Sequence, residues 1–155
     1  MAKIEKTNYT RKWQHEMEMM SKLEMYKMLN PEILVKDYVK NSVLTRKQRS
    51  VISLALSGTL PIEIEKGRWR QIPRENRICK QCDSNEVEDL IHFLVKCEKN
   101  ERLRMEFYDY VTSKDNVNMN MLSDHEKVTF MLTNNDSHIM KKTANFIIMS
   151  MKDRH

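Results

Sequence analysis

Apolar residues recur along most of this chain at intervals of three and four, the spacing that lays one face of a helix against a core. Trp13, Met17, Met20, Leu23 and Met28 form an imperfect stripe, predicting a first helix from near Thr10 to a stop at Asn30-Pro31. Residues 1–10 are polar and without period, which predicts a flexible, frayed N-terminus. Pro31 suits the first turn of a second helix carrying Ile33, Leu34, Tyr38 and Val39. Thr45 reads as the N-cap of a third, in which Val51, Ile52, Leu54, Ala55 and Leu56 follow and Ser57-Gly58 ends the run, since glycine accepts the left-handed C′ position.

The helical period lapses at Leu60-Pro61-Ile62-Glu63-Ile64-Glu65, where apolar and acidic residues alternate after a proline and predict a short extended segment. It returns at Val87, Leu90, Ile91 and Leu94, with Asn85 as N-cap and Glu88 as the acidic partner of a capping box. Leu103, Met105, Phe107, Tyr108 and Val111 predict a further helix that closes in the polar stretch from Thr112 to Asn120. Ser123 and Glu126 form a second capping-box pattern ahead of Val128, Phe130, Met131 and Leu132. A last helix starts near Asp136 or Ser137, carries Ile139, Met140, Ala144, Ile147 and Ile148, and runs out at Lys152-Asp153-Arg154.

Composition agrees with a mainly α fold. With 2 glycines and 3 prolines in 155 residues, the chain lacks the frequent turn residues of a sandwich or barrel. It is long enough for one ordinary domain, expected over residues 11–155, with little or no β-structure. The longest apolar runs, such as Val51 to Leu56 and Phe146 to Met149, are far too short to span a bilayer, so no membrane role is expected. The odd cysteine count argues against a disulfide framework and for a reducing intracellular compartment, cytoplasmic or nuclear.

The chemistry sits in the middle of the chain. Cys79-Lys80-Gln81-Cys82, then nine residues to His92 and four more to Cys97, uses all 3 cysteines and one central histidine. That is the donor set of a closed tetrahedral Zn²⁺ site, structural rather than catalytic, because four protein ligands leave no position for water. His92 and Cys97 lie five residues apart, about 140° of rotation on an ideal helix. Both can therefore face one metal only if the helix ends or unwinds near Cys97. Three thiolates around Zn²⁺ leave one negative charge, which Lys80, Lys96 and Lys99 are placed to offset. The other histidines, His15, His125, His138 and His155, have no cysteine neighbour and read as surface or core residues.

The formal charge of +5 permits an anionic partner without requiring one, and its distribution says more. Arg68, Trp69, Arg70, Arg74, Arg77 and Lys80 crowd the approach to Cys79. Arginine pairs bidentately with phosphate and tryptophan stacks on bases, a combination suited to RNA, single-stranded DNA or a distorted duplex. Trp69 nevertheless fits core placement better than base stacking. Arg46, Lys47 and Arg49 at the start of the third helix read equally well as phosphate contacts or as a solvated basic turn.

Residues 50–104 resemble the zinc-binding region found C-terminal to the polymerase in reverse transcriptases of non-LTR (LINE-type) retrotransposons of animals. The likeness rests on Leu56-Ser57-Gly58-Thr59-Leu60-Pro61-Ile62-Glu63-Ile64-Glu65, the Gly67-Arg68 step, Ile72-Pro73-Arg74-Glu75, the CxxC pair, and Glu86-Val87-Glu88-Asp89 leading to His92-Phe93-Leu94 and Cys97. The flanks, Lys12-Trp13 through Tyr26-Lys27 and Leu122-Ser123 to Arg154, resemble what surrounds that module. One departure is Glu98, where relatives often carry proline directly after the last ligand. The resemblance implies a zinc-dependent nucleic-acid-binding module, spanning about residues 58–104, that helps a retroelement polymerase engage RNA template or target DNA, with Cys79, Cys82, His92 and Cys97 as ligands. No polymerase aspartate pair and no endonuclease constellation can be assembled, so no enzyme activity and no small-molecule substrate are expected. Two other readings stand beside it: a zinc-stapled protein-interaction module, and a non-functional retroelement fragment. A CxxC redox protein or Cys/His hydrolase is poorly supported, because no βαβ pattern surrounds the pair.

Overall fold

A computed structural model of the chain describes residues 2–20, 23–29, 36–152 and 154. Its helices are α1 (Ala2–Glu18), α2 (Glu24–Leu29), α3 (Asp37–Lys40), α4 (Arg46–Leu56), α5 (Glu63–Trp69), α6 (Glu101–Asp115), α7 (Asp124–Thr133) and α8 (Ser137–Met151). Single turns of tighter or wider helix join them. The fold is mainly α, and among the described residues strand-like pairing is confined to one isolated antiparallel bridge between Ile78 and Val87. No helix among those residues is long and apolar enough to cross a membrane.

Helix α8 is the centre of the packing, lying against α4, α6 and α7. Ile139, Met140, Thr143, Ala144, Phe146, Ile147 and Ser150 bury a face broad enough to touch all three. Asp136 caps it by accepting the amides of His138 and Ile139, and Lys114 beside it, together with those amides, holds its carboxyl at about 2. Thr45 with Gln48 and Ser123 with Glu126 form complete capping boxes on α4 and α7. Gly58 ends α4 in the left-handed region at φ 64°, and the Thr59 amide reaches back to the Leu54 carbonyl at 2.9 Å. The Gln48 side chain also ties α4 to α8 through Asn145 at 2.8 Å.

Several elements differ from the sequence pattern. Helix α1 begins at Ala2, eight residues before the first periodic signal, and the expected Trp13–Met28 helix is broken into α1 and α2. The Lys27 ammonium, donating to the Glu18 carbonyl at 2.9 Å, fixes that break. Pro31, Ile33 and Leu34 lie outside the described residues, while Tyr38 and Val39 belong to α3. Helix α6, by contrast, closes at Asp115 inside the expected polar stretch, where Asn116 at φ 55° supplies a left-handed cap.

Residues 63–65 are helical rather than extended. Ile62 is in the extended conformation before α5, and Glu63 and Glu65 occupy the first turn, where unpaired amides favour negative charge. The Glu63 amide is bonded by the Glu88 carboxylate at 2.7 Å, a partner 25 residues downstream that no local pattern reveals. Inside α5, Gly67 lies under the aliphatic stem of Arg77, and a Cβ there would come 2.5 Å from Arg77 Cγ. Arg77 cannot easily yield, since its guanidinium donates to the Ile72 and Ile64 carbonyls, both at 2.9 Å. Gly67→Ala is therefore expected to destabilise the protein by about 1–2 kcal/mol in urea unfolding, overpacking outweighing the gain in helix propensity.

Candidate metal centre

Two pieces of chain carry the ligands. The Ile78–Val87 bridge closes a loop whose ends are held by the Cys79 amide on the Glu86 carbonyl and the Glu88 amide on the Arg77 carbonyl, each at 2.9 Å. Cys79 and Cys82 project from that loop, and Asn85 turns it at φ 56°. The second piece starts at Asp89, whose side chain accepts the His92 amide at 2.8 Å. Asp89, not Asn85, is thus the cap of the ligand helix; Glu88 is drawn away into the interior.

His92–Lys96 then winds as a π-helical turn and stops at Cys97, whose backbone is extended at φ −54°, ψ 119°. The Cys97 amide bonds the His92 carbonyl at 2.7 Å, an i→i+5 closure that brings residues five apart back to one side of the helix. This resolves the 140° offset of an ideal helix. The wide turn and the stop at Cys97 act together, without a proline at position 98. Its carbonyls are satisfied from α6 and the turn before it: Asn100 donates to Phe93 at 2.8 Å and Arg104 to Cys97 at 3.0 Å. Helices α6 and α7 pack against this turn.

The donor atoms of Cys79, Cys82, His92 and Cys97 lie within 4.8 Å of one another and can hold a metal ion; no disulfide joins the cysteines. A tetrahedron with metal–sulfur and metal–nitrogen distances of about 2.3 and 2.0 Å has edges of roughly 3.8 Å between sulfurs and 3.5 Å from sulfur to nitrogen. The Cys79–Cys97 sulfur separation is 3.9 Å, and Cys82 Sγ to His92 Nε2 is 3.4 Å. The residues present fit the group. His92 Nδ1 lies 3.1 Å from the Glu86 carboxylate, which Lys96 meets at 3.5 Å, so Nδ1–H donates to Glu86 and Nε2 is the ring nitrogen turned to the thiols.

Each sulfur also receives the backbone amide two residues on: Gln81 to Cys79, Ser84 to Cys82 and Lys99 to Cys97. Such bonds stabilise thiolate over thiol. Burial alone would raise Cys82, but the Ser84 hydroxyl and amide, with Cys79 and His92, hold it down at about 6. His92 is lifted to about 9, first by its hydrogen bond with Cys97, against burial, and then by Glu86 and Cys82. Cys79 goes the other way: burial pushes it up, the Gln81 amide opposes, and the negative charge of Glu88 adds. The cluster thus shares protons among its sulfurs and imidazole, and those are the protons a metal displaces.

No family model matches the chain, and neither a curated protein nor a solved structure matches it.

The basic residues flanking this centre separate into two groups. Trp69 is 74% exposed at the end of α5, which corrects its expected core placement. Beside it in sequence, Arg70 approaches Glu63 at 3.7 Å, and Lys80 of the knuckle reaches the same carboxylate oxygen at 3.2 Å. Arg70 and Lys80 therefore join α5 to the metal loop through Glu63, and all three of Trp69, Arg70 and Lys80 are exposed. Arg68 approaches Glu65 at 3.6 Å, and Arg74 is exposed on the following turn. Arg77 and Arg49 point inward instead, Arg49 donating to the Asn41 and Leu44 carbonyls. Arg46 and Lys47 are exposed on α4, a different helix.

Of the lysines expected to offset the charge, Lys96 meets the Glu86 carboxylate that holds His92, Lys99 offers Cys97 its backbone amide, and Lys80 is paired with Glu63 instead. Two participants were missed in the sequence. Glu88 is buried between the Glu63 amide and Cys79, and Arg154 reaches it from the far end of the chain. A buried acid within an otherwise exposed polar run is a weak signal for the first; nothing local signals the second.

Proposed function

We propose that the chain is a zinc-stabilised nucleic-acid-binding module that resembles the C-terminal part of a LINE-type reverse transcriptase, without polymerase, endonuclease or other catalytic role. The observation that carries it is the exposure of Trp69, Arg70 and Lys80 next to a compact Cys₃His cluster, with Arg70 and Lys80 tying α5 to the loop of that cluster through Glu63. Three thiolates and an imidazole favour Zn²⁺ among common divalent ions, and four protein ligands make its role structural. A large exposed aromatic flanked by cations offers base stacking together with phosphate pairing. RNA or single-stranded DNA is the partner this chemistry fits, with a retroelement polymerase as a second partner implied by the resemblance.

Titrating labelled single-stranded RNA and DNA oligomers at several salt concentrations tests the reading. Affinity is expected to fall with salt, the log–log slope growing by about 0.7 for each phosphate neutralised. Trp69→Ala should weaken binding by about 1–3 kcal/mol with the slope intact. Arg70→Ala with Lys80→Ala should flatten the slope by roughly one to two units while metal stays bound. Binding indifferent to salt and to all three substitutions would exclude this surface, and favour the protein-interaction module that the same exposed tryptophan could serve.

A further inference from the structure

Arg154 leaves the end of α8 and turns its side chain back into the protein, where it is 3% exposed. Its Nε donates to the Ser150 carbonyl at 2.9 Å, which fixes the direction of the guanidinium. One terminal nitrogen pairs with the Glu88 carboxylate, and the other lies 3.8 Å from Cys97 Sγ. The guanidinium carbon stands 4.6 Å from the ring centroid of Phe93, the residue after the histidine ligand. Glu88 in turn approaches Cys79 Sγ at 3.4 Å. One buried cation therefore faces the Cys97 sulfur, the ligand turn and the buried carboxylate that meets Cys79.

The charges explain why it is needed. Three thiolates and a divalent ion leave one negative charge, and Glu88 places a second against Cys79. An uncompensated pair of negative charges at this depth is strongly disfavoured. Lys96 stands on the other side of the site, paired with the exposed Glu86, and Lys80 is paired with Glu63. Ligation through His92 and Cys97 would fix the ligand turn, and with it the Cys97 sulfur and the Phe93 ring on which the guanidinium rests. The seat of Arg154 is therefore better formed in the loaded state, and by reciprocity its seating must raise metal affinity.

The geometry points to Arg154 as the positioning counter-charge of the metal centre, coupling metal occupancy to the docking of the end of α8 on the ligand turn. The inference rests on the metal part of the reading above and is independent of the nucleic-acid part. It gives the chain's last described residue a defined role: a clasp that is closed by the metal and that holds the metal in place.

The test compares the full chain with Arg154→Met and with the double variant Glu88→Gln/Arg154→Met, which removes both charges at near-constant volume and guards against a fold lost to one orphaned carboxylate. Zinc affinity is read by competition with a chromogenic chelator. Amide exchange over residues 147–152 is followed with and without zinc. Arg154→Met is expected to weaken zinc binding by about 10–100-fold, and the double variant to remain at least about 10-fold weaker, because the Cys97 thiolate has still lost its donor. Exchange at 147–152 should slow on zinc addition in the unaltered chain and respond much less in the double variant. Wild-type affinity in the double variant would reduce Arg154 to a partner for Glu88 and overturn the proposal. Exchange at 147–152 indifferent to zinc would overturn the coupling. An unaltered chain that takes up no zinc would overturn the metal reading and this inference together, whereas unaltered affinity in both variants would overturn this inference alone.

Discussion

His92→Ala or Cys97→Ser is expected to abolish stable metal binding and to melt the central region at ordinary temperature. The magnitude follows from the site's closed character. In small zinc modules the apparent binding free energy is about 10–16 kcal/mol and is itself folding free energy. The whole stability of an ordinary domain is only about 5–15 kcal/mol, so forfeiting even a third of the metal term matters. The geometry adds a second cost. Without the metal, the wide i→i+5 winding from His92 to Cys97 is left to the Asn100 and Arg104 side chains on its carbonyls, and Cys79 and Cys97 remain as buried sulfurs 3.9 Å apart. The damage should be regional. Helices α4, α6, α7 and α8 supply most of the apolar core, which the ligand turn joins through Phe93, Leu94 and Val95, whereas the Cys79–Glu86 loop has one strand-like bridge and the ligands. Melting followed by circular dichroism, before and after a strong chelator and in each variant, checks this. Helical content and melting temperature unmoved by chelation would mean that the cluster is not a structural metal site.

What could be read from the chain follows the range of the interactions involved. The caps at Thr45, Ser123 and Asp136 and the stop at Gly58 were legible because each is settled within four residues by hydrogen bonds that the side-chain type itself announces. The ligand set was legible because coordination chemistry restricts which residues can share a metal. The need for the ligand helix to stop at Cys97 followed from rotation alone, but the form of the solution did not. A π turn is stabilised here by Asn100 and Arg104, and neither advertises that task. Residues 63–65 were misread for the same reason. Alternation of Ile with Glu imitates a strand, and only the carboxylate of Glu88, brought back by the knuckle, gives the first amide of α5 its acceptor. Among the basic residues, composition could not say which arginines turn inward. Arg77 is claimed by the carbonyls of Ile64 and Ile72, and Trp69, about 200° round α5 from the buried Gly67, is left on the outer face.

Phe93→Ala is expected to cost about 3–5 kcal/mol, the range for removing a large aromatic from a packed core, and to weaken metal binding as well. Phe93 is fully buried, next to the histidine ligand. Its ring is the face against which the Arg154 guanidinium rests, and its carbonyl takes the Asn100 side chain. Truncation therefore opens a cavity beside the π turn and removes the ring face that seats Arg154, while the backbone carbonyl that accepts from Asn100 remains. Because the metal binds the folded site, adding zinc should recover part of the loss by mass action: about 2.7 kcal/mol at a free concentration one hundred times the dissociation constant. The recovery should be smaller in the variant than in the unaltered chain at equal zinc, since its own dissociation constant is higher. Phe93→Leu, which keeps most of the volume but not the ring face, separates the two effects. If packing alone matters, Leu should restore most of the stability and all of the metal affinity. If the ring also seats Arg154, stability should recover further than affinity does. Equal recovery of both would remove the aromatic contact from the account of the site, and an undiminished melting temperature in Phe93→Ala would contradict the packing described around the ligand turn.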